Sequence, residues 1–176
     1  MFNIIKKCQD LELELSKYKL CASLIPKKSF FANLRKVLIK KQWDLVRRFV
    51  YKKDFYRCFI CGKSNVRLEA HENWEYDYKN SIQKLQDINA LCKMCHLNIH
   101  LGLSMILVQK GKLCKYELRE HWCTVNQEEL INFKDYQLKV NVLWIFRNQF
   151  EWKIVDKNDK NIFKGLNFNE LIRSLV

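Results

Sequence analysis

Proline occurs once and glycine four times in 176 residues, so the chain carries few helix breakers and little of the composition that marks disordered segments. Long apolar runs are also missing. Leu103 to Val108, interrupted by Ser104, falls well short of the roughly 20 residues that cross a bilayer. Met1 to Cys8 lacks the pattern of a signal peptide, because its apolar stretch is short and Lys6 and Lys7 follow it rather than precede it. A cytoplasmic protein without a membrane partner is the expectation. No repeat and no Gly- or Ser-rich linker divides the chain, so its length predicts one functional unit built around one core.

Acidic residues are in deficit, 19 against 32 Lys and Arg, which leaves a net charge of +13. Such a balance favours phosphates or anionic lipid, although a drift of composition toward Lys, Asn and Ile raises the same count without any binding role. The distribution of charge argues for a partner. Between Met1 and Phe55 stand fourteen basic and five acidic residues, in recurring pairs with aromatics between them. A helix predicted from about Gln42 places Trp43, Val46, Phe49 and Val50 inward and leaves Arg47, Arg48, Lys52 and Lys53 outside. These four are the expected contacts to nucleic acid, DNA before RNA.

Read along its length, the chain divides into a basic segment over 1–55, a Cys- and His-rich module over 56–103 and a C-terminal segment over 104–176. Leu11, Leu13 and Leu15 alternate with Glu12 and Glu14, which reads as a strand by period two, with a helix left open. After Pro26, Ser29 or Asn33 is placed to cap a helix that turns Leu34, Leu38 and Ile39 inward. From Glu128 to about Asn148 a second packing helix is expected. Phe150 to Ile154 and Ile162 with Phe163, about the polar turn 156–161, read as a short hairpin.

Eight cysteines without an export signal point to thiols and metal rather than disulfides. Cys58-x-x-Cys61 and Cys92-x-x-Cys95 lie thirty residues apart, the arrangement in which two short turns converge on one tetrahedral zinc. Gly62 follows the first pair, where a tight turn wants no Cβ. A structural zinc of this type contributes on the order of 10 kcal/mol to folding. Fortuitous buried thiols or a redox dithiol are the competing explanations. Cys8, Cys21, Cys114 and Cys123 have no such spacing and read as small buried apolar residues.

On a helix beginning near Cys92, His96 and His100 lie four residues apart on one face, a spacing that chelates a divalent metal. His71, in the strand-like stretch Val66 to Glu72, can complete a three-histidine site with open positions.

CxxCG, then a strand ending in His, then LCxxCHxxxH is a pattern that resembles the HNH nucleases of the ββα-metal type. Here it reads Cys58-Phe-Ile-Cys61-Gly62, Leu68-Glu-Ala-His71-Glu72 and Leu91-Cys92-Lys-Met-Cys95-His96-Leu-Asn-Ile-His100. The stretches around Trp43 to Arg48, His71 to Asp77, His121-Trp122 and Glu151-Trp152 look like a bacterial subgroup of that superfamily. The resemblance implies a structural zinc on the four cysteines and a catalytic divalent cation, Mg²⁺ or another, on His71, His96 and His100. It also implies hydrolysis of a phosphodiester, with the side chain after His71 deprotonating water. That position holds Glu72 where the family has histidine, and an unperturbed glutamate is a weaker base. The family's asparagine before the helix is replaced as well: nine residues ahead of His96 stands Asp87, with Asn89 two further on.

The expected fold is therefore α+β, a zinc-stabilised treble-clef ββα-metal module with flanking helices and a short C-terminal hairpin. The expected function is metal-dependent DNA cleavage with Glu72, His71, His96 and Asp87 in catalytic roles. A nucleic-acid-binding module that has lost turnover, and a purely structural or protein-interaction role, are the alternatives.

Overall fold

The computed structural model describes residues 2–30, 33–162 and 167–174. The protein is α+β, with a three-stranded sheet in the order β1-β2-β3. Its elements are α1 (Phe2–Leu15), α2 (Leu34–Val37), α3 (Lys40–Lys53), β1 (Leu68–Asp77), β2 (Ile82–Cys92), α4 (Lys93–Ile99), α5 (Leu101–Gln109), α6 (Lys115–Asn126), α7 (Asn132–Arg147), β3 (Lys153–Val155) and α8 (Phe168–Ser174). They form two compact units, 1–26 with 93–149 and 27–92 with 150–176, so each unit draws on two stretches of chain.

The first unit is helical. In α1 the side chains turned inward are Cys8 and Leu15, seven residues apart, while Leu13 is 76 % exposed. The Leu11, Leu13, Leu15 alternation is thus not a strand: a helical period through Cys8, Leu11 and Leu15 wins, because Leu13 has nothing to pack against. Arg147 of α7 is buried and pairs with Glu12 of α1, which satisfies a charge that would otherwise be costly. The core centres on Tyr18, Trp122, Phe133 and Tyr136. Tyr136 packs against Trp122 at 4.5 Å between centroids, and its hydroxyl oxygen accepts the Ala22 N–H at 2.6 Å. The helix expected from Glu128 begins at Asn132, and Val140 and Leu143 are its buried apolar residues near the C-terminal end.

The second unit packs α2, α3 and α8 with the sheet through Leu34, Val46, Val50, Leu85, Ile88, Ala90, Ile154, Ile162 and Leu171. Asn33 caps α2, its side chain accepting the Lys36 N–H at 3.0 Å, while Ser29 lies in a short 3₁₀ turn. Leu34 and Leu38 face inward as expected, but Ile39, just before α3, is 65 % exposed. Val46 and Val50 are buried in α3 with Trp43 and Phe49 packed beside them.

Strands β1 and β2 pair antiparallel from Leu68 opposite Cys92 to Asp77 opposite Ile82, with a bulge at Asn73/Trp74. Asp77 shapes the connecting turn by accepting the N–H groups of Lys79 and Asn80 at 2.9 and 3.1 Å. The C-terminal hairpin is reduced from its expected form. β3 joins β2 in parallel, and among the described residues an isolated bridge, Val155 to Asn161, closes the turn that Asp156 organises. Phe163 lies outside the described residues. Among the described residues no helix is long and apolar enough to cross a membrane.

Candidate metal centres

The first cysteine pair sits in a tight backbone loop. Arg57 bridges to Ser64, the Cys58 N–H donates to Lys63 O at 3.0 Å, and the Gly62 N–H donates to Cys58 O at 2.8 Å. Gly62 has φ +74° and open space where a Cβ would stand, so the left-handed backbone and not crowding selects glycine. The Phe59 N–H reaches Ala90 O at 2.8 Å, tying this loop to β2 two residues before Cys92. Cys92 ends β2 and α4 starts at the next residue, which puts Cys95 in the first helical turn.

These local structures bring the four sulfurs together, all within 4.8 Å of one another, with Cys58, Cys92 and Cys95 buried. Cys61 Sγ and Cys92 Sγ are 3.7 Å apart. Thiolates at roughly 2.3 Å from a tetrahedral zinc stand about 3.8 Å from each other, so the spacing fits that ion and no disulfide. All eight cysteines are free. Of the other four, Cys8 is buried, Cys21 and Cys123 are partly exposed and Cys114 is exposed; Cys114, next to the start of α6, is not the buried apolar residue that its lack of spacing suggests.

A histidine that the sequence marked only within a family-like stretch, with no metal role, approaches this cluster. His121 on α6 places Nε2 3.1 Å from Cys95 Sγ. Twenty-six positions separate the two residues, and no spacing rule relates them.

His71, His96 and His100 form a second group whose ring nitrogens lie within 4.8 Å of one another. His71 is buried on β1 opposite Asn89. His96 lies in α4, and His100 follows its end, held in helical register by its N–H to His96 O at 3.0 Å. The two rings are 4.6 Å apart at 82°. Burial first, and the charge of His96 second, push the His100 pKa down to about 4. His100 is therefore neutral at pH 7, the form that offers a lone pair to a metal.

Glu72 follows His71 on β1, and successive strand residues face opposite sides of the sheet. Its carboxylate accepts the Leu34 N–H of α2 at 2.7 Å. Burial pushes its pKa up to about 7 against the lowering effect of that bond. Asp87 is held by Lys53, whose ammonium lies 2.7 and 2.8 Å from its two oxygens and also donates to Ile88 O at 2.8 Å. Asn89 donates to Asp87 at 3.1 Å and accepts from Asn73. A polar chain thus runs from Lys53 to the residue directly across from His71, and only the hairpin register reveals it.

The basic set on α3 is not uniform. Arg47 is paired with Asp44 and Lys53 with Asp87, whereas Arg48 and Lys52 are exposed. The chain matches no protein family model, no curated protein and no solved structure.

Proposed function

We propose that this protein is a metal-dependent nuclease of HNH type: a treble-clef module in which a zinc on Cys58, Cys61, Cys92 and Cys95 holds the frame, and His71, His96 and His100 hold a catalytic divalent cation. The observation that carries the reading is the convergence of three imidazoles from β1 and the α4 region beside a complete four-thiolate set. Four sulfurs satisfy a closed tetrahedral zinc, so the histidines are surplus to it and available for another ion. The order of elements, a cysteine loop, a β1-β2 hairpin and a helix continuing directly from β2, also suits a ββα-metal arrangement.

When bound, a divalent cation on the three histidines supplies Lewis-acid stabilisation to a phosphate oxygen. The chain's own contribution is to keep His100 unprotonated and to fix His71 on a paired, buried strand position. With a pKa near 7, Glu72 has the proton affinity a general base needs at neutral pH.

One observation favours the second reading, a nucleic-acid-binding module without turnover. Glu72 is already engaged by the Leu34 N–H, and strand alternation turns it away from His71. Plasmid nicking with Mg²⁺ or Mn²⁺ against a chelator control separates the two. His71→Ala and His100→Ala should abolish metal-dependent nicking with zinc content unchanged. DNA binding with no nicking under any divalent cation supports the second reading and removes the first.

A further inference from the structure

At the end of α3 the chain holds three large aromatic side chains in solvent: Phe55, Tyr56 and Phe59 are 82, 63 and 60 % exposed. Water penalises that display, and so does the backbone. Phe55 and Tyr56 both have φ +54°, in the left-handed region that closes many helices, where glycine or asparagine is the low-cost residue. Packing does not explain two consecutive aromatics there.

The turn that presents them is well tied. The Phe55 N–H donates to Lys52 O at 3.0 Å, Tyr56 N–H to Tyr51 O at 2.7 Å and Arg57 N–H to Asp54 O at 3.0 Å. Phe59 stands between Cys58 and Cys61, inside the cysteine loop. Next to Tyr56 lies an open cavity of about 260 Å³, lined also by Tyr51, Asn65, Val66 and Leu68. Lys52, Arg57, Lys63 and Arg67 are all exposed and interleave with these residues along the chain, and no acidic residue occurs from Phe55 to Leu68. Asp54, the nearest acid before it, points its carboxylate at the Ala90 N–H at 2.6 Å.

We propose that Phe55, Tyr56 and Phe59, with Lys52, Arg57, Lys63 and Arg67 around them, form a binding site for unpaired nucleotides of a single strand. Bases in a duplex are stacked on one another and show a protein only their edges, so a projecting ring has no base face to meet. Unpaired bases do offer their faces, and exposed rings among cations are how sequence-tolerant single-strand sites are built. The inference rests on the nucleic-acid part of the proposed function and is independent of cleavage.

The test uses the full, zinc-loaded chain without added Mg²⁺ or Mn²⁺, at about 0.15 M salt. The probe is a DNA oligonucleotide of about a dozen nucleotides with a central 2-aminopurine, offered single-stranded or as the blunt duplex. Single strand should bind roughly 10-fold or more tightly than duplex, with the 2-aminopurine quenched by stacking. Phe55→Ala and Phe59→Ala should each weaken single-strand binding about 10-fold and leave duplex binding unchanged, and Phe55→Trp should restore it. Phe55→Gly adds a readout that a structural role predicts differently: it relieves the left-handed strain, so thermal stability should rise while single-strand affinity falls. Equal binding of both forms without quenching, or no binding to either, overturns the site. Plasmid nicking measured on the same variants keeps the two ideas apart, because nicking that persists beside unquenched binding sinks the platform and spares the nuclease.

Discussion

Cys95 Sγ and His121 Nε2 stand 3.1 Å apart, and the pair links the first turn of α4 to α6. With Cys95 a metal-bound thiolate, the imidazole N–H donates to sulfur, which stabilises the charge and lowers the tendency of the thiolate to protonate and leave. His121→Ala should therefore weaken zinc affinity by roughly 10- to 100-fold, read by competition with a chromophoric chelator. His121→Gln, which keeps an N–H of similar reach, should recover part of it. Unchanged affinity in His121→Ala would show that the contact is packing only.

Zinc itself should be present at one per chain and should not depend on the histidines of the second group. Four thiolates within 4.8 Å fill a tetrahedral ion, and metal binding of this type supplies on the order of 10 kcal/mol of folding free energy. Cys58→Ser and Cys95→Ser should lose zinc and fold poorly, whereas His71→Ala should keep both. Elemental analysis of soluble, folded protein that finds no zinc rules out the four-thiolate centre.

The features legible in the sequence were those written in short-range spacing. Two CxxC pairs, the four-residue step from His96 to His100 and the inward set of α3 each follow from local geometry. Features that failed to show depend on burial or on distant partners. Alternating leucines in α1 mimic a strand because Cys8, the residue that sets the helical period, is easily left out of an apolar count. Lys53 looks like a free cation until β2 brings Asp87 to it from thirty-four positions away. β2 itself hides because its C-terminal half is buried on both faces and so loses the alternation that betrays a strand.

Glu72 and His100 set opposing trends in stability with pH. Glu72 is raised from 4.5 to about 7 in the fold, so the unfolded chain releases its proton first. Its contribution is whole below pH 4.5 and is lost as pH rises toward 7. His100 is lowered from 6.5 to about 4, so its contribution is whole above pH 6.5 and is lost as pH falls toward 4. Each effect is on the order of 3 kcal/mol, and between pH 4.5 and 6.5 they largely cancel. Denaturant unfolding should show Glu72→Gln gaining on the wild type as pH rises through that window. His100→Ala should fall behind the wild type over the same rise. Titration of the thiolates is common to all three proteins and drops out of the differences. Parallel curves for wild type and both variants would mean that neither side chain titrates as its burial dictates.

The carboxylate-paired and the exposed cations on α3 should separate in a salt titration of DNA binding. Each phosphate neutralised by a cation contributes about 0.9 to the slope of log affinity against log salt on duplex DNA. Arg48 and Lys52 are exposed, so neutralising both should flatten the slope by up to about 1.8 and leave stability nearly unchanged. Lys53 behaves differently because its ammonium is shared between Asp87 and the Ile88 carbonyl, and its side chain is only 23 % exposed. Lys53→Met should leave the slope alone and instead destabilise the fold by about 1–2 kcal/mol, since Asp87 loses its main donor. Asp87→Asn in the Lys53→Met background should return part of that loss, because a neutral amide no longer needs a cation beside it. A slope that falls as much for Lys53→Met as for Lys52→Met would place Lys53 on the phosphate backbone and show that its bond to Asp87 opens when DNA binds.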